Sequence, residues 1–203
     1  RVGTNLKNYL TKVIFNWLCP NGSIIANNAL KSQVAHSMPL VCYGVIQSRE
    51  QIPKNWHCKK LQILFGGSLI KGAGCQLLIN ALDIIRTQNL HSPPNLEFIV
   101  TGKGPFEHEF RSYAEQASDW LTFHGELTRE DYLKILRNSH IGISLRIGQF
   151  GMATTTFPSK VIEYAEAGLV VLTTGSGDVP TLFADAAIYL EEETPIALSR
   201  LLL

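Results

Sequence analysis

The residues of this sequence that could do chemistry are glycines, hydroxyls and cations placed directly after predicted strands. Pro158, Ser159 and Lys160 open a predicted helix after a long polar segment. A helix start offers free N–H groups and a partial positive charge, and both attract an anion. Ser159 is expected to cap this helix, and Lys160 adds a full positive charge. Together these residues favour binding of a diphosphate group.

An acidic residue, Glu163, lies one helical turn beyond this start. A carboxylate just behind a phosphate site is placed to accept hydrogen bonds from ribose hydroxyls. The alternative is that its negative charge only stabilises the N-terminus of the helix. We favour the first interpretation, and the pattern then indicates a nucleotide ligand.

Three glycine-bearing segments follow other predicted strands, at residues 65–74, 101–105 and 123–127. Glycine lets the backbone approach a ligand closely and leaves N–H groups free to face an anion. Each segment taken alone is also explained as an ordinary turn. The first is neither a Walker A loop nor a GxGxxG loop, and the absence of GxGxxG after any strand argues against a dehydrogenase.

Short apolar segments alternate with amphipathic helical patterns from about residue 61 onward. The predicted strands are nearly continuous in apolar residues, as parallel strands covered on both faces are. They are Leu61–Phe65, Leu96–Thr101, Leu121–Phe123, Ile141–Leu145, Leu169–Thr173 and Ala187–Leu190. This alternation predicts an α/β fold with a doubly wound parallel sheet. Right-handed crossovers bring the carboxyl ends of all its strands to one edge, where ligands bind.

The first 48 residues have a different pattern. An apolar stripe between Leu6 and Leu18 predicts an amphipathic helix, whose apolar face is expected to cover the α/β domain, a second copy or a missing half of the protein. Short strands are predicted at Ser23–Ala26 and Leu40–Tyr43, with a helix at Asn27–His36 between them. We therefore divide the chain into an N-terminal segment (1–48), a polar linker (49–60) and an α/β domain (61–203).

Composition excludes several classes of protein. The 203 residues are 45% apolar, which is enough for a hydrophobic core that needs no disulfide or metal site to be stable. The net charge of +1 argues against a nucleic-acid binder or a membrane anchor that works by bulk positive charge. The four cysteines lack CxxC spacing, so neither a zinc site nor a disulfide framework is expected. The chain begins at Arg1 and ends in three leucines, and we expect both ends to be cut from a longer protein.

The glycine and cation segments, in this order, resemble the C-terminal, donor-binding domain of a GT-B-fold glycosyltransferase of the large retaining family 4. The resemblance covers about residues 61–185. Gly67–Gly72 resembles the first glycine loop of the family, Gly102–Pro105 its G-x-G-P turn, and Phe123–Gly125 its F-x-G strand end near the nucleotide base. Pro158–Gly168 closely resembles the PSK…EY…AG variant of the nucleotide-sugar helix.

This resemblance implies transfer of a sugar from a nucleoside diphosphate sugar to an acceptor in glycan or polysaccharide biosynthesis. It implies no cofactor, because the donor is itself a substrate, and we expect no metal ion because no carboxylate pair is placed to hold one. The residues assigned to catalysis are Lys71, Lys160 and Glu163, of which Glu163 matches the family residue that binds the donor ribose. The residues assigned to substrate binding are Gly67, Ser68, Gly102, Gly104, His124, Gly125, Arg146, Thr155, Thr156, Phe157, Pro158 and Ser159.

The sequence departs from the family pattern at three positions. The first glutamate of the family's E-x7-E pair falls on Thr155, which can hydrogen-bond a sugar but carries no charge. The arginine and lysine that hold the diphosphate in the family fall on Ser68 and Ala73. The cations that could replace them are Lys71, Lys160 and Arg146. Two alternatives therefore stay open, a non-catalytic nucleotide- or sugar-binding module of the same fold and a GT-B relative that epimerises sugar nucleotides.

Residues 1–48 resemble the end of the N-terminal, acceptor-binding domain and the crossing into the donor domain. The chain is then expected to supply the donor-binding half, to be inactive as an isolated fragment, and to meet a glycan or lipid-linked acceptor through the missing domain. The resemblance is compatible with a cytoplasmic location, with peripheral membrane association and with a homodimer, and it implies no nucleic-acid partner.

Overall fold

The computed structural model describes residues 9–10, 13–14, 17–18, 22–34, 39–45, 53–88, 95–148 and 156–203. The strands are β1 (Ile24–Ile25), β2 (Leu40–Val41), β3 (Leu61–Ser68), β4 (Leu96–Lys103), β5 (Leu121–Gly125), β6 (Ile141–Ser144), β7 (Val170–Thr174) and β8 (Ala187–Leu190). The last six form one parallel sheet in the order β5-β4-β3-β6-β7-β8. The chain therefore reverses its direction of winding between β3 and β6, where ligands bind in open α/β sheets.

Helices cover both faces of this sheet. The α-helices are α1 (Cys75–Gln88), α2 (Glu107–Gln116), α3 (Arg129–Asn138), α4 (Ser159–Glu166), α5 (Val179–Phe183) and α6 (Pro195–Leu202), and 3₁₀ turns lie at Asn28–Gln33, Lys71–Ala73 and Ala184–Ala186. Along β3, Ile63 and Phe65 pack into the cluster with α1, α2 and α6, whereas Leu64 packs into the cluster with α3 and α4. This alternation buries the strand on both sides, and the predicted doubly wound α/β fold is confirmed.

Two local sequence features explain how the helices begin and pack. Helix α1 carries an apolar stripe at Cys75, Leu78, Ala81, Leu82 and Ile85, and the structure buries all five residues. Thr128 precedes α3, and its side chain caps the helix by accepting a hydrogen bond from the N–H of Asp131. The apolar stripe therefore packs α1 against the sheet, and the cap fixes the residue at which α3 begins.

The strands next to the switch point are longer than the sequence predicts. Strand β3 runs to Ser68 and β4 runs to Lys103, because their parallel pairing continues past the glycines, with Gly67 opposite Gly102. A Cβ on Gly102 would lie 1.8 Å from the carbonyl oxygen of Gly67, and its φ of +132° is strained for any other residue. Only glycine lets the two strand ends approach this closely, so these segments end strands rather than form separate turns.

A side-chain cluster around Asp178 joins the N-terminal segment to the α/β domain. Strands β1 and β2 pair in parallel, and the segment between them is a short 3₁₀ turn rather than a regular helix. Asp178 accepts hydrogen bonds from the backbone N–H of Asn28 at 2.7 Å and from the hydroxyl of Tyr43 at 2.8 Å. Although partial burial opposes ionisation, these hydrogen bonds hold the pKa of Asp178 below its usual value. Residues 9–10, 13–14 and 17–18 have helical backbone and expose their apolar side chains.

Candidate functional site

A cavity of about 140 Å³, which we call the phosphate cavity, lies at the switch point of the sheet. Its lining includes Gly66, Gly67, Ser68, Arg146, Ser159 and Lys160. The glycine end of β3, the carboxyl end of β6 and the start of α4 thus meet in one place. No carboxylate lies among the lining residues that the structure describes. Backbone N–H groups, the guanidinium of Arg146 and the ammonium of Lys160 suit an anion such as a diphosphate.

The start of α4 differs from the prediction at one residue. Pro158 occupies the N-cap position, with φ of −74° and ψ of 97°, and no side chain caps the helix. Ser159 is the first helical residue, so the prediction that it caps the helix is wrong. Proline suits the position because it carries no N–H that would need a partner. The N–H of Val161 donates to the Pro158 carbonyl at 3.0 Å, and no side-chain cap competes with a ligand for the N–H groups of Ser159 and Lys160.

Lys160 and Glu163 form an ion pair within the first turn of α4. The hydroxyl of Tyr132 donates to the Glu163 carboxylate at 3.1 Å and accepts from Lys160 Nζ at 3.0 Å. Lys160 Nζ also lies 4.2 Å from the centre of the Tyr132 ring, which is a cation–π contact. Burial, together with the nearby charge of Glu163, raises the pKa of Tyr132, so its hydroxyl stays protonated. Without a ligand, two of the three predicted catalytic residues, Lys160 and Glu163, therefore bind each other.

The buried side chain of Tyr164 contacts the glycine end of β3. The hydroxyl of Tyr164, on α4, accepts a hydrogen bond from the N–H of Gly66 at 3.1 Å. Tyr164 is fully buried and packs against Gly142 of β6, where a Cβ would lie 2.4 Å from its ring. This arrangement fixes α4 relative to the strands on either side of the switch point.

Arg146 follows β6 and borders the phosphate cavity. Within the described part of the chain it forms no ion pair, and its Nε has no hydrogen-bond partner. Burial lowers the pKa of Arg146, although arginine remains charged at neutral pH. Its backbone N–H donates to Thr174 Oγ1 at 2.9 Å, which ties this loop to β7. A half-buried, unpaired guanidinium at a cavity is the feature here that most needs an anion.

A second cavity of about 270 Å³ lies on the β4 side of the phosphate cavity. Its lining includes Gly102, Lys103, Glu126, Leu127, Tyr132 and Lys160. Lys103 and Glu126 form an exposed ion pair at 2.7 Å. The sequence did not single out Tyr132 or Glu126 as site residues. Glu126 follows directly after the predicted F-x-G strand end, which was the available signal, whereas Tyr132 has the spacing of a core residue on α3.

Several predicted site residues lie away from these cavities. Lys71 is exposed in a 3₁₀ turn and does not line either cavity, and His124 and Gly125 lie at the end of β5 outside the described linings. Gly104 approaches Leu69, whose carbonyl oxygen a Cβ would meet at 2.4 Å, so it has a packing role. Phe157 is buried, with its ring 4.8 Å from the ring of Tyr43.

The remaining predicted residues next to α4 add little to the linings. Thr156 and Pro158 are not among the described lining residues of either cavity, and Thr155 lies outside the described residues. Among the residues that the structure describes, no group of three or more side chains could hold a metal ion. No helix in the described ranges is both long enough and apolar enough to cross a membrane.

Comparisons with known proteins agree with this geometry. The family model for glycosyl transferases group 1 matches residues 60–202. Chitobiosyldiphosphodolichol beta-mannosyltransferase from Yarrowia lipolytica is 32% identical over 104 residues, which cover 47% of this chain and 20% of that protein. The chain thus spans about one fifth of the length of this curated relative.

Solved structures show the same fold at low sequence identity. AviGT4, a glycosyltransferase involved in avilamycin A biosynthesis, superposes with a TM-score of 0.59 at 17% identity, covering 87% of this chain and 52% of that one. The C-terminal domain of the group 1 glycosyl transferase LpcC from Francisella tularensis gives a TM-score of 0.54 at 17% identity, covering 70% of this chain and 73% of that one.

Proposed function

The chain belongs to the group 1 glycosyl transferases, and on that basis we propose that it binds a nucleoside diphosphate sugar at the carboxyl edge of its sheet. It supplies the donor-binding half of an enzyme that transfers the sugar to a glycan acceptor. The observation that carries this proposal is the phosphate cavity, where the unpaired Arg146 faces the uncapped start of α4 and the described lining holds no carboxylate. These are the features that a diphosphate requires.

When the donor binds, its ribose and diphosphate replace the contact between Lys160 and Glu163. The ribose hydroxyls donate to Glu163, and the diphosphate accepts from Lys160, so each charged group trades one partner for another. Tyr132 lines the second cavity and contacts both charged groups, which supports a nucleoside position on the β4 side. Glu163 lines neither cavity in the absence of the donor, and each charged group keeps a hydrogen-bond partner when the donor replaces the internal ion pair.

Catalysis follows from where negative charge develops. When the bond between the anomeric carbon and the diphosphate oxygen breaks, the electron pair stays on the leaving diphosphate. Arg146, Lys160 and the N–H groups of α4 stabilise this charge more strongly in the transition state than in the substrate. Removing one such group is expected to raise the barrier by about 2–4 kcal/mol. Membrane association, homodimerisation and a cytoplasmic location stay predictions of the sequence.

Calorimetry on the chain tests the donor site. We expect at least one of UDP, GDP and ADP to bind, and we expect Arg146→Met and Lys160→Ala each to weaken that binding by about 10- to 100-fold, as the loss of a charged hydrogen bond does. Lys134→Ala is the matched control, because Lys134 is exposed on α3 and pairs only with residues of its own helix.

The proposal is overturned if none of the three nucleotides binds, or if both variants bind as tightly as the unchanged chain. Nucleotide binding without turnover of any nucleotide sugar by the full-length protein would instead favour a non-catalytic binding module. An enzyme and a binding module are distinguished by measuring release of the nucleoside diphosphate from the nucleotide sugar in parallel with nucleotide binding.

A further inference from the structure

A third cavity, of about 550 Å³, lies beyond Arg146 on the other side of the phosphate cavity. We call it the outer cavity. It is formed by the segments that follow β6, β7 and β8, and its lining includes Arg146, Ser176, Pro180, Tyr189, Glu191 and Glu193. Arg146 borders both this cavity and the phosphate cavity, so a ligand in one lies next to a ligand in the other.

The charge of the outer cavity excludes a second phosphate. Glu191 and Glu193 place two carboxylates in its lining, against the single guanidinium of Arg146. The carboxylate of Glu193 accepts a hydrogen bond from the N–H of Gly148 at 3.0 Å, which holds it at the rim. A carboxylate repels an anion but accepts hydrogen bonds from hydroxyl groups. The ligand that suits this wall is therefore uncharged and rich in hydroxyls.

Unsatisfied polar atoms point to a missing ligand. Ser176 is only 6% exposed, and its Oγ has no hydrogen-bond partner among the described residues. The hydroxyl of Tyr189 and the Nε of Arg146 are also buried without a partner in the described part of the chain. Three such atoms on residues that line one cavity are unusual, because buried polar groups in native proteins are nearly always paired. A rotation of the Ser176 side chain is enough to turn its hydroxyl into the cavity.

We propose that the outer cavity binds one unit of a neutral saccharide. After this rotation Ser176 donates to a sugar oxygen, and the carboxylates of Glu191 and Glu193 accept from sugar hydroxyls. Pro180 and Leu190 offer apolar surface to the C–H face of the ring. The site does not depend on the donor proposal, since its ligand is uncharged and is bound by residues other than Arg146 and Lys160. The sugar has two sources, the end of an acceptor glycan or a free saccharide.

Ligand-observed NMR on the chain tests this site, with the methyl glycosides of glucose, mannose, galactose and N-acetylglucosamine and with oligosaccharides that end in the same units. We expect millimolar binding of at least one methyl glycoside or oligosaccharide. Tighter binding of the oligosaccharide indicates a glycan end, and equal binding indicates a single sugar unit. Both outcomes support the site.

Two variants separate binding from folding. Ser176→Ala removes an unpartnered buried hydroxyl, so we expect a slightly higher Tm without ligand but about tenfold weaker sugar binding. Glu191→Gln combined with Glu193→Gln keeps the shape and the Gly148 contact, and we expect a similar loss. Glu130→Gln on the exposed face of α3 is the control, with its side chain 81% exposed.

The inference is overturned if no glycoside or oligosaccharide binds, if these variants bind sugar as tightly as the unchanged chain, or if inorganic phosphate competes with the sugar. Affinity for UDP, GDP and ADP is measured on the same variants. We expect it to stay within about twofold of the unchanged chain, so failure of the outer cavity is distinguishable from failure of the donor site.

Discussion

The phosphate cavity and the outer cavity lie at the same edge of the sheet and share Arg146, yet they are built in different ways. The phosphate cavity is formed by glycines, by a helix start and by Lys160, and its positive character comes from the charges of Lys160 and Arg146 together with the N–H groups of the helix start. The outer cavity is formed by side chains that follow three neighbouring strands, and its character comes from two carboxylates and unpaired hydroxyls. One edge of a parallel sheet can therefore offer an anion site and a hydroxyl site side by side.

The largest effect that we predict separates Gly102, which lies opposite Gly67 of the phosphate cavity, from a glycine of the outer cavity. Gly102→Ala places a Cβ 1.8 Å from the carbonyl oxygen of Gly67, and the backbone cannot move without parting β3 from β4. We expect a loss of about 4 kcal/mol or more in the free energy of unfolding, measured by urea denaturation, because a backbone clash and a strained φ act together.

Gly175→Ala is the matched substitution in the outer cavity. Its Cβ would meet only the ring of Pro180, at 3.5 Å, and its φ lies outside the strained range. We expect a change of less than about 1 kcal/mol. Equal costs for the two alanine variants would show that the phosphate cavity is no more dependent on close backbone approach than the outer cavity.

Sequence patterns predicted the phosphate cavity better than the outer one for a physical reason. The start of α4 and the glycine ends of β3 and β4 are short, contiguous segments whose backbone needs particular residues, so they are visible as motifs. Arg146 was predicted as a site residue because it is a cation that could replace the diphosphate-binding residues of the family, whose positions fall on Ser68 and Ala73. Ser159 was wrongly expected to cap its helix. The sequence Pro-Ser-Lys fits a helix that begins at either of two neighbouring residues, and in the structure the N-cap is Pro158.

The outer cavity is invisible in the sequence because its residues belong to three separate segments. Arg146, Ser176 and Glu193 come together only through the strand order β6-β7-β8, and none of them belongs to a motif. Tyr132 was missed for a related reason, since a tyrosine at helical spacing among apolar residues has the pattern of a core position. Lys71 was a candidate because of its position after a glycine loop, and the 3₁₀ turn leaves it exposed outside the described linings.

A smaller effect tests the wall of the outer cavity through its pH dependence. Asp178 lies between Ser176 and Pro180 and binds Asn28 and Tyr43. Its pKa in the folded chain is below the unfolded value of about 4, so its contribution is present above that pH and is lost as the pH falls through the folded pKa. We expect Asp178→Asn to lower the free energy of unfolding at pH 7 by about 1 kcal/mol.

Denaturation of the two chains at several pH values measures this contribution. The difference between them is expected to shrink as the pH falls below about 4, because the unchanged chain then loses the charged hydrogen bonds that the variant already lacks. Sugar binding is expected to weaken in the variant while nucleotide binding stays unchanged. If the difference in free energy of unfolding is constant across this pH range, the charge of Asp178 does not stabilise the segment that contains Ser176 and Pro180.

The smallest effect concerns only the phosphate side. Tyr132→Phe keeps the ring under Lys160 but removes the hydroxyl that donates to Glu163. Because that hydroxyl orients the carboxylate for the ribose, we expect about three- to fivefold weaker nucleotide binding, which corresponds to about 0.6–1 kcal/mol. Sugar binding in the outer cavity is expected to stay unchanged, since Tyr132 is not in its described lining. Phosphate ion, which has no ribose, should bind the variant and the unchanged chain equally, and an equal loss for phosphate and nucleotide would mean that Tyr132 acts on Lys160 rather than on Glu163.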